Sequence, residues 1–273
     1  MNIRYIIIFF IIIGGLAIGT YVTEFLNGSA GIPPEVAFRP SPSSAIVPSN
    51  IKLPVVSQNI PLAPVASPRR TEASDTPMNL AVPFQAQAPF ADWSLPYQEA
   101  CEEASLILVD EYFKGSSITP QRMRERILAL VKWQQNNLGY YEHTTIYETA
   151  RMAREAMGYA RAEVVENPTY EQIVSHIAEK RPVIVPLAGR LLGNPYYSGR
   201  GPVFHMLVVK GVTEKGDIIT ADVGTRHGQN YVYPKDVFMN AIHDVVSGGD
   251  GPISADPDKT IQSGPRRVLV LYP

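Results

Sequence analysis

The feature that most constrains this chain is a change of apolar period near residue 181. Before it, apolar residues recur at helical intervals; after it they come in short β-branched or aromatic runs divided by glycine and charged turns. A chain that places its helices first and its strands later, without βαβ alternation or internal repeats, folds as α+β. The pattern predicts helices over Ala100 to Phe113, Pro120 to Asn137, Thr144 to Met157 and Tyr170 to Lys180. Thr119 with Pro120, and Thr169, supply N-cap signals, and Gly115 supplies a C-terminal stop. A short strand is expected at Ala81 to Phe84, followed by a Trp-bearing loop from Gln85 to Gln98. Five more runs, Pro182 to Leu187, Phe204 to Val212, Asp217 to Asp222, Asn230 to Tyr233 and Val268 to Tyr272, read as one antiparallel sheet. A helix from Pro234 to His243 and a loop from Ser247 to Gly264 separate the last two.

Two segments precede this unit. Tyr5 to Val22 carries no charge, and as a helix it would run roughly 27 Å, near the thickness of a bilayer core. It is expected to be a retained membrane anchor, with a cleaved signal peptide as the alternative. Arg4 before the run and Glu24 after it place the amino terminus inside and the rest of the chain outside, in an extracytoplasmic compartment. From Asn27 to Pro77 the chain is rich in Pro, Ser, Ala and Val and shows no period, as in an extended, disordered stalk. The domain reading is therefore an anchor over 1–26, a linker over 27–77 and a globular domain over 78–273.

The net charge of −2 leaves no cationic field for nucleic acid. No His-Glu-x-x-His or Cys-x-x-Cys occurs, and Gly248-Gly249-Asp250-Gly251 lacks the lysine and helix of a phosphate loop. No metal or cofactor is expected.

The chemistry concentrates on Cys101, the single cysteine of the chain, at the start of the first helix. Unpaired N–H groups and the helix dipole favour a thiolate there, although Glu102 and Glu103 oppose it. The bland reading is a small apolar residue in the core. A histidine partner is needed, and His205 is the best candidate because it interrupts a strongly apolar strand, where a ring must be partnered. His227, in a loop near Asp222, is the rival; His143, His176 and His243 read as packing or solvated residues. Asp222 ends the next strand, so an antiparallel pair joined by the Thr213 to Gly216 turn brings it to His205 as the group that orients the ring. An oxyanion would be met by the Cys101 N–H and by a side-chain amide from the preceding loop, with Gln87 preferred over Gln85 and Gln98. Leu191 to Gly201, with its aromatics just before His205, reads as a cleft wall or lid.

The run Val82-Pro-Phe-Gln-Ala-Gln-Ala-Pro, then Trp93, then Leu95-Pro-Tyr-Gln-Glu-Ala-Cys101-Glu-Glu-Ala-Ser105, Gly201-Pro-Val-Phe-His205 and Ile219-Thr-Ala-Asp222 resembles the peptidase C39-like group of papain-like proteins over roughly Met78 to Pro273. The resemblance implies a papain-like α+β fold and a cysteine, histidine, aspartate triad with a glutamine at the oxyanion hole, matching Cys101, His205, Asp222 and Gln87. The chain departs from the family in carrying Glu102 where glycine is usual, Val223 where proline is common, and a stretched glutamine spacing. The implied activity is hydrolysis of a peptide bond by a membrane-tethered cysteine peptidase, with a peptide or protein as substrate. The alternatives are an amidase or transpeptidase acting on cell-wall peptides with the same triad, and a non-catalytic peptide-binding module.

Overall fold

The computed structural model describes residues 31–40, 76–249 and 256–273. The run Tyr5 to Val22 lies outside them, as do residues 41–75 of the expected linker, and among the described residues no helix is long and apolar enough to cross a membrane.

The domain is α+β, with helices packed against one mixed sheet. In chain order the elements are β1 (Glu35–Val36), β2 (Met78–Leu80), α1 (Cys101–Phe113), α2 (Pro120–Asn137), α3 (Ile146–Glu155), β3 (Arg161–Glu166), α4 (Tyr170–Ala178), β4 (Val183–Ala188), β5 (Phe204–Val212), β6 (Ile218–Ala221), β7 (Gln229–Tyr233), α5 (Lys235–Ala241), α6 (Pro257–Gln262) and β8 (Arg267–Tyr272). Local signals account for the helix boundaries. Thr119 accepts from Arg122 N with Pro120 behind it, and Thr145 and Thr169 each close a reciprocal capping box, with Glu148 and Gln172. Gly115 adopts a left-handed φ of 64° just past α1.

The strand order is β1-β2-β5-β4-β8-β3, with β6 on β5 and β7 on β6. All pairs are antiparallel except β1 with β2, which is parallel. β5 is the hub: β4 and then β2 pair along one edge of it and β6 along the other. All nine of its residues are buried, which explains its unbroken apolar run. Helix α1 lies on β5, and Ser105 Oγ donates to the Met206 carbonyl at 3.3 Å. That helix is buried from Cys101 through Tyr112, so every face has a neighbour and it carries no single apolar stripe. Asp110 is paired by Arg126 of α2 and by Lys114 just past the end of its own helix, and Glu111 by Arg122 and Arg126 of α2.

Four further expectations are corrected. The first strand of the domain is Met78–Leu80, and Ala81 to Phe84 is not a strand; it follows the pairing of β2 with Val212 and Gly211. Arg161–Glu166 forms an edge strand on β8 whose alternate charges masked it. A short helix, α6, started by Pro257 behind the Asp256 cap, interrupts the expected 247–264 loop. Residues 31–40, expected within the linker, bind the domain. β1 pairs with β2, Phe38 packs against Tyr112 and Phe113, and Glu35 reaches Lys210 Nζ at 2.6 Å. Lys210 sits at a register shift in β5, is 0% exposed, and also donates to Asn230 Oδ1 at 2.7 Å.

A buried ammonium that loses its carboxylate keeps its desolvation cost. Glu35→Ala is expected to lower stability by about 1–3 kcal/mol, less than for a fully buried pair because Glu35 is partly open to water. Lys210→Met, which removes the buried charge with its need for a partner, is expected to lose less, and Glu35→Ala added to it should cost almost nothing. Urea unfolding of the four proteins measures this; equal losses from Glu35→Ala in both backgrounds would refute the pairing.

Candidate active site

His205 is the second residue of β5, and the turn through Thr213 and Gly216 returns the chain along it as β6, so that Val208 faces Ala221 and the residues after β6 come beside His205. His205 Nε2 lies 2.8 Å from Asp222 Oδ1, both groups being buried. The 17-residue spacing thus gives the geometry expected of it. With Nε2–H donated to the carboxylate, Nδ1 is the nitrogen left to act as a base.

Asp222 is held from every side. The Gly224 N–H donates to Oδ1 at 3.0 Å, and Oδ2 receives the Tyr233 hydroxyl at 2.5 Å, the Tyr197 hydroxyl at 2.7 Å and Asn194 Nδ2 at 3.1 Å. Burial would raise its pKa, but the His205 ring and these donors outweigh burial and hold it below the usual aspartate value. Both tyrosines pay in the opposite direction: burial and the Asp222 charge push their hydroxyls well up, so they stay protonated donors. The Tyr197 ring also stands edge-on to His205, centroids 5.5 Å apart. A Cβ at Gly224 would lie 2.8 Å from His205 Cε1, and one at Gly189 would lie 2.7 Å from the Pro202 carbonyl and 3.1 Å from His205 Cβ. The ring is seated where only glycine fits.

The expected lid, Leu191 to Gly201, divides its aromatics: Tyr197 turns in to Asp222, and Tyr196 is 53% exposed and stacks on His227 at 4.4 Å. His227 is therefore engaged with Tyr196 on the outside. Arg190 and Arg200 pin the ends of the loop to the two oxygens of Asp258 on α6, at 2.6 and 2.7 Å. Of the other histidines, His143 lies 3.7 Å from Glu99, His176 meets Arg181, and His243 meets the Gly264 carbonyl.

Cys101 begins α1, where first-turn N–H groups have no intrahelical acceptor. Ser105, one turn on, fixes that face of the helix to Met206, the neighbour of His205. Cys101 Sγ donates to Glu102 Oε2 at 3.1 Å. Glu102 and Glu103, the first-turn acids expected to oppose a thiolate, are both buried. Glu102 Oε1 accepts the Thr144 N–H at 2.9 Å, and Glu103 accepts from Gln134 Nε2. Burial first, then the charge and hydrogen bond of Glu102, push the thiol pKa well up, so the sulfur is protonated at rest. The helix-start effect expected to favour a thiolate is outweighed.

Gln87 reaches this region with a different task from the one expected. Its Nε2 donates to the Tyr97 carbonyl at 3.0 Å and the Gln98 carbonyl at 2.8 Å, which uses both amide hydrogens and braces the turn that leads into Cys101. Its backbone N–H bonds the Val223 carbonyl at 3.0 Å, tying the same loop to the residue after Asp222. Gln85 Nε2 faces the Pro89 carbonyl and Gln98 Nε2 faces Glu99. Sequence reasoning passed over Tyr197, Tyr233 and Asn194; the signal was present only as aromatic density just before His205. Among the described residues no group of His, Cys, Asp and Glu could hold a metal ion.

A model of the Peptidase C39 like family matches residues 79–245, a span that takes in Cys101, His205 and Asp222. No curated protein matches the chain. Among solved structures, a crystal structure of a proposed C39-like peptidase from Bacillus anthracis is similar at a TM-score of 0.45 and 12% identity, covering 72% of this chain and 98% of that one.

The depressed pKa of Asp222 has a stability consequence. A carboxylate whose folded pKa lies below its unfolded value of about 3.9 adds stability above that value and loses it as pH falls through the folded one. Asp222→Asn, which turns an NH2 toward two or three of the five donors, is expected to cost about 3 kcal/mol near neutral pH and progressively less below about pH 4. Urea unfolding of both proteins across that range checks it; a pH-independent gap would contradict the assignment.

Proposed function

The chain belongs to the Peptidase C39 like family, and from that premise we propose that it is a cysteine peptidase working through Cys101, His205 and Asp222 in a papain-like arrangement. The observation that carries the reading is the buried 2.8 Å contact of His205 Nε2 with Asp222, on the strand that Ser105 fastens to the helix headed by Cys101. In this reading His205 Nδ1 takes the thiol proton as Sγ adds to the scissile carbonyl, and returns it to the leaving amine. Water then cleaves the thioester by the same relay. First-turn N–H groups of α1 stabilise the oxyanion, and Gln87 holds the entry to that turn in place rather than donating to the oxyanion itself. Asp222 keeps the ring oriented, and its three side-chain donors besides His205 keep Asp222 ionised.

The proposal extends to placement. Tyr5 to Val22 anchors the chain, and the charge bias of Arg4 and Glu24 sets the domain outside the cytoplasm, where a peptide or protein substrate meets it. One observation favours a second reading, a peptide-binding module without catalysis: the Cys101 proton is given to Glu102 rather than to His205.

Cleavage of a mixed peptide library by the full-length protein separates the two. Catalysis predicts products that vanish in Cys101→Ala and a kcat/KM at least about 10³-fold lower in His205→Ala. Binding of peptides without Cys101-dependent cleavage would replace the peptidase reading with the second.

A further inference from the structure

In the proposed mechanism His205 takes the Cys101 proton, but the group that Sγ contacts is Glu102. Glu102 accepts from Sγ at 3.1 Å with one oxygen and from the Thr144 N–H at 2.9 Å with the other, so its carboxylate is fixed from two elements. No lysine or arginine pairs with it among the described residues. We propose that Glu102 is a positioning residue for the nucleophile: while charged it keeps the thiol proton away from His205, and once protonated it frees the sulfur to pair with His205 as thiolate and imidazolium.

The proton count balances. Release takes one proton from solvent onto Glu102 Oε2 and moves the Sγ proton to His205 Nδ1, so the site gains one positive charge and no bond to carbon changes. Electrostatics favours this order, because a thiolate beside a charged Glu102 would place two buried anions at hydrogen-bond distance. Burial raises Glu102 to about 7 against the pull of its hydrogen bonds from Cys101 and Thr144, so the transition falls near neutral pH. The titratable groups that act on it are Cys101 and Glu99, with Glu103 beside it on α1; Tyr141 and His143 lie in the chain just before Thr144. Glu103 is buried and bonded to Gln134, and burial with the neighbouring Glu102 charge pushes it well up. Glu99 is partly exposed and lies 3.7 Å from His143. Burial also raises Tyr141, so it stays neutral.

The inference rests on His205 as the partner of Cys101 and is tested without any substrate. Iodoacetamide alkylation of Cys101 is followed against pH in the full-length protein, in Glu102→Gln and in His205→Ala. The wild-type rate is expected to rise as pH falls from about 8 to about 6, the reverse of an ordinary thiol. Glu102→Gln keeps an acceptor for Thr144 and should react about tenfold faster at pH 8, with that rise abolished. His205→Ala should be slow throughout. A wild-type rate that falls steadily with pH, a Glu102→Gln rate at or below wild type, or a wild-type profile in His205→Ala would each overturn the proposal. Absence of peptide cleavage beside an intact alkylation profile would instead overturn the peptidase reading and leave the role of Glu102 standing.

Discussion

The structure depends on the burial of α1 on all of its faces. A helix in that position must satisfy each polar side chain from a different neighbour, since an unpaired buried charge costs several kcal/mol. Asp110 and Glu111 fix α2 through Arg126 and Arg122, Ser105 fixes β5, and Glu102 and Glu103 fix the approach to α3 and the end of α2 through Thr144 and Gln134. The helix thereby indexes the helical layer against the sheet. Cys101 lies at its first residue, one turn before Ser105, and His205 lies one residue before the Met206 carbonyl that Ser105 reaches, so one contact sets the register of both elements.

Two buried carboxyl groups in the site are driven in opposite directions by the same desolvation. Asp222 collects five donors and falls below its ordinary pKa; Glu102 collects few, lies among other carboxyls, and rises. The difference lies in the neighbouring charge, His205 for Asp222 and Glu99 for Glu102, and in hydrogen-bond count, rather than in depth. In the proposed mechanism this divides the labour: Asp222 keeps its charge and orients the ring while Glu102 changes its charge.

Much of this was legible. Capped helices announce themselves by local chemistry, as Thr119, Thr145 and Thr169 do, and a buried hub strand by its unbroken apolar run with one histidine in it. The His205 to Asp222 spacing was readable because a hairpin fixes which residues face each other. What escaped depends on tertiary neighbours. Glu102 and Glu103 look like ordinary first-turn charges until Thr144 and Gln134 close over them. Gln87 has the composition of an oxyanion donor, and only the carbonyls of Tyr97 and Gln98 assign it elsewhere. β1 is two residues long, and its attachment rests on Lys210, whose burial at a register shift no period reveals.

The glycines around His205 carry a further consequence, for how such a domain can diverge. A Cβ at 224 is blocked by the ring itself, at 2.8 Å, while one at 228 is blocked by the Asp222 backbone carbonyl, at 1.8 Å. The first constraint comes from side chains, chiefly the imidazole at 205 with Tyr197 Cε1 beside it at 3.2 Å, and eases if the imidazole is lost; the second belongs to the turn and outlives any change in chemistry. In a lineage that gave up the histidine, position 224 would drift to larger residues and position 228 would not, so the pair of positions records whether a descendant has kept its ring.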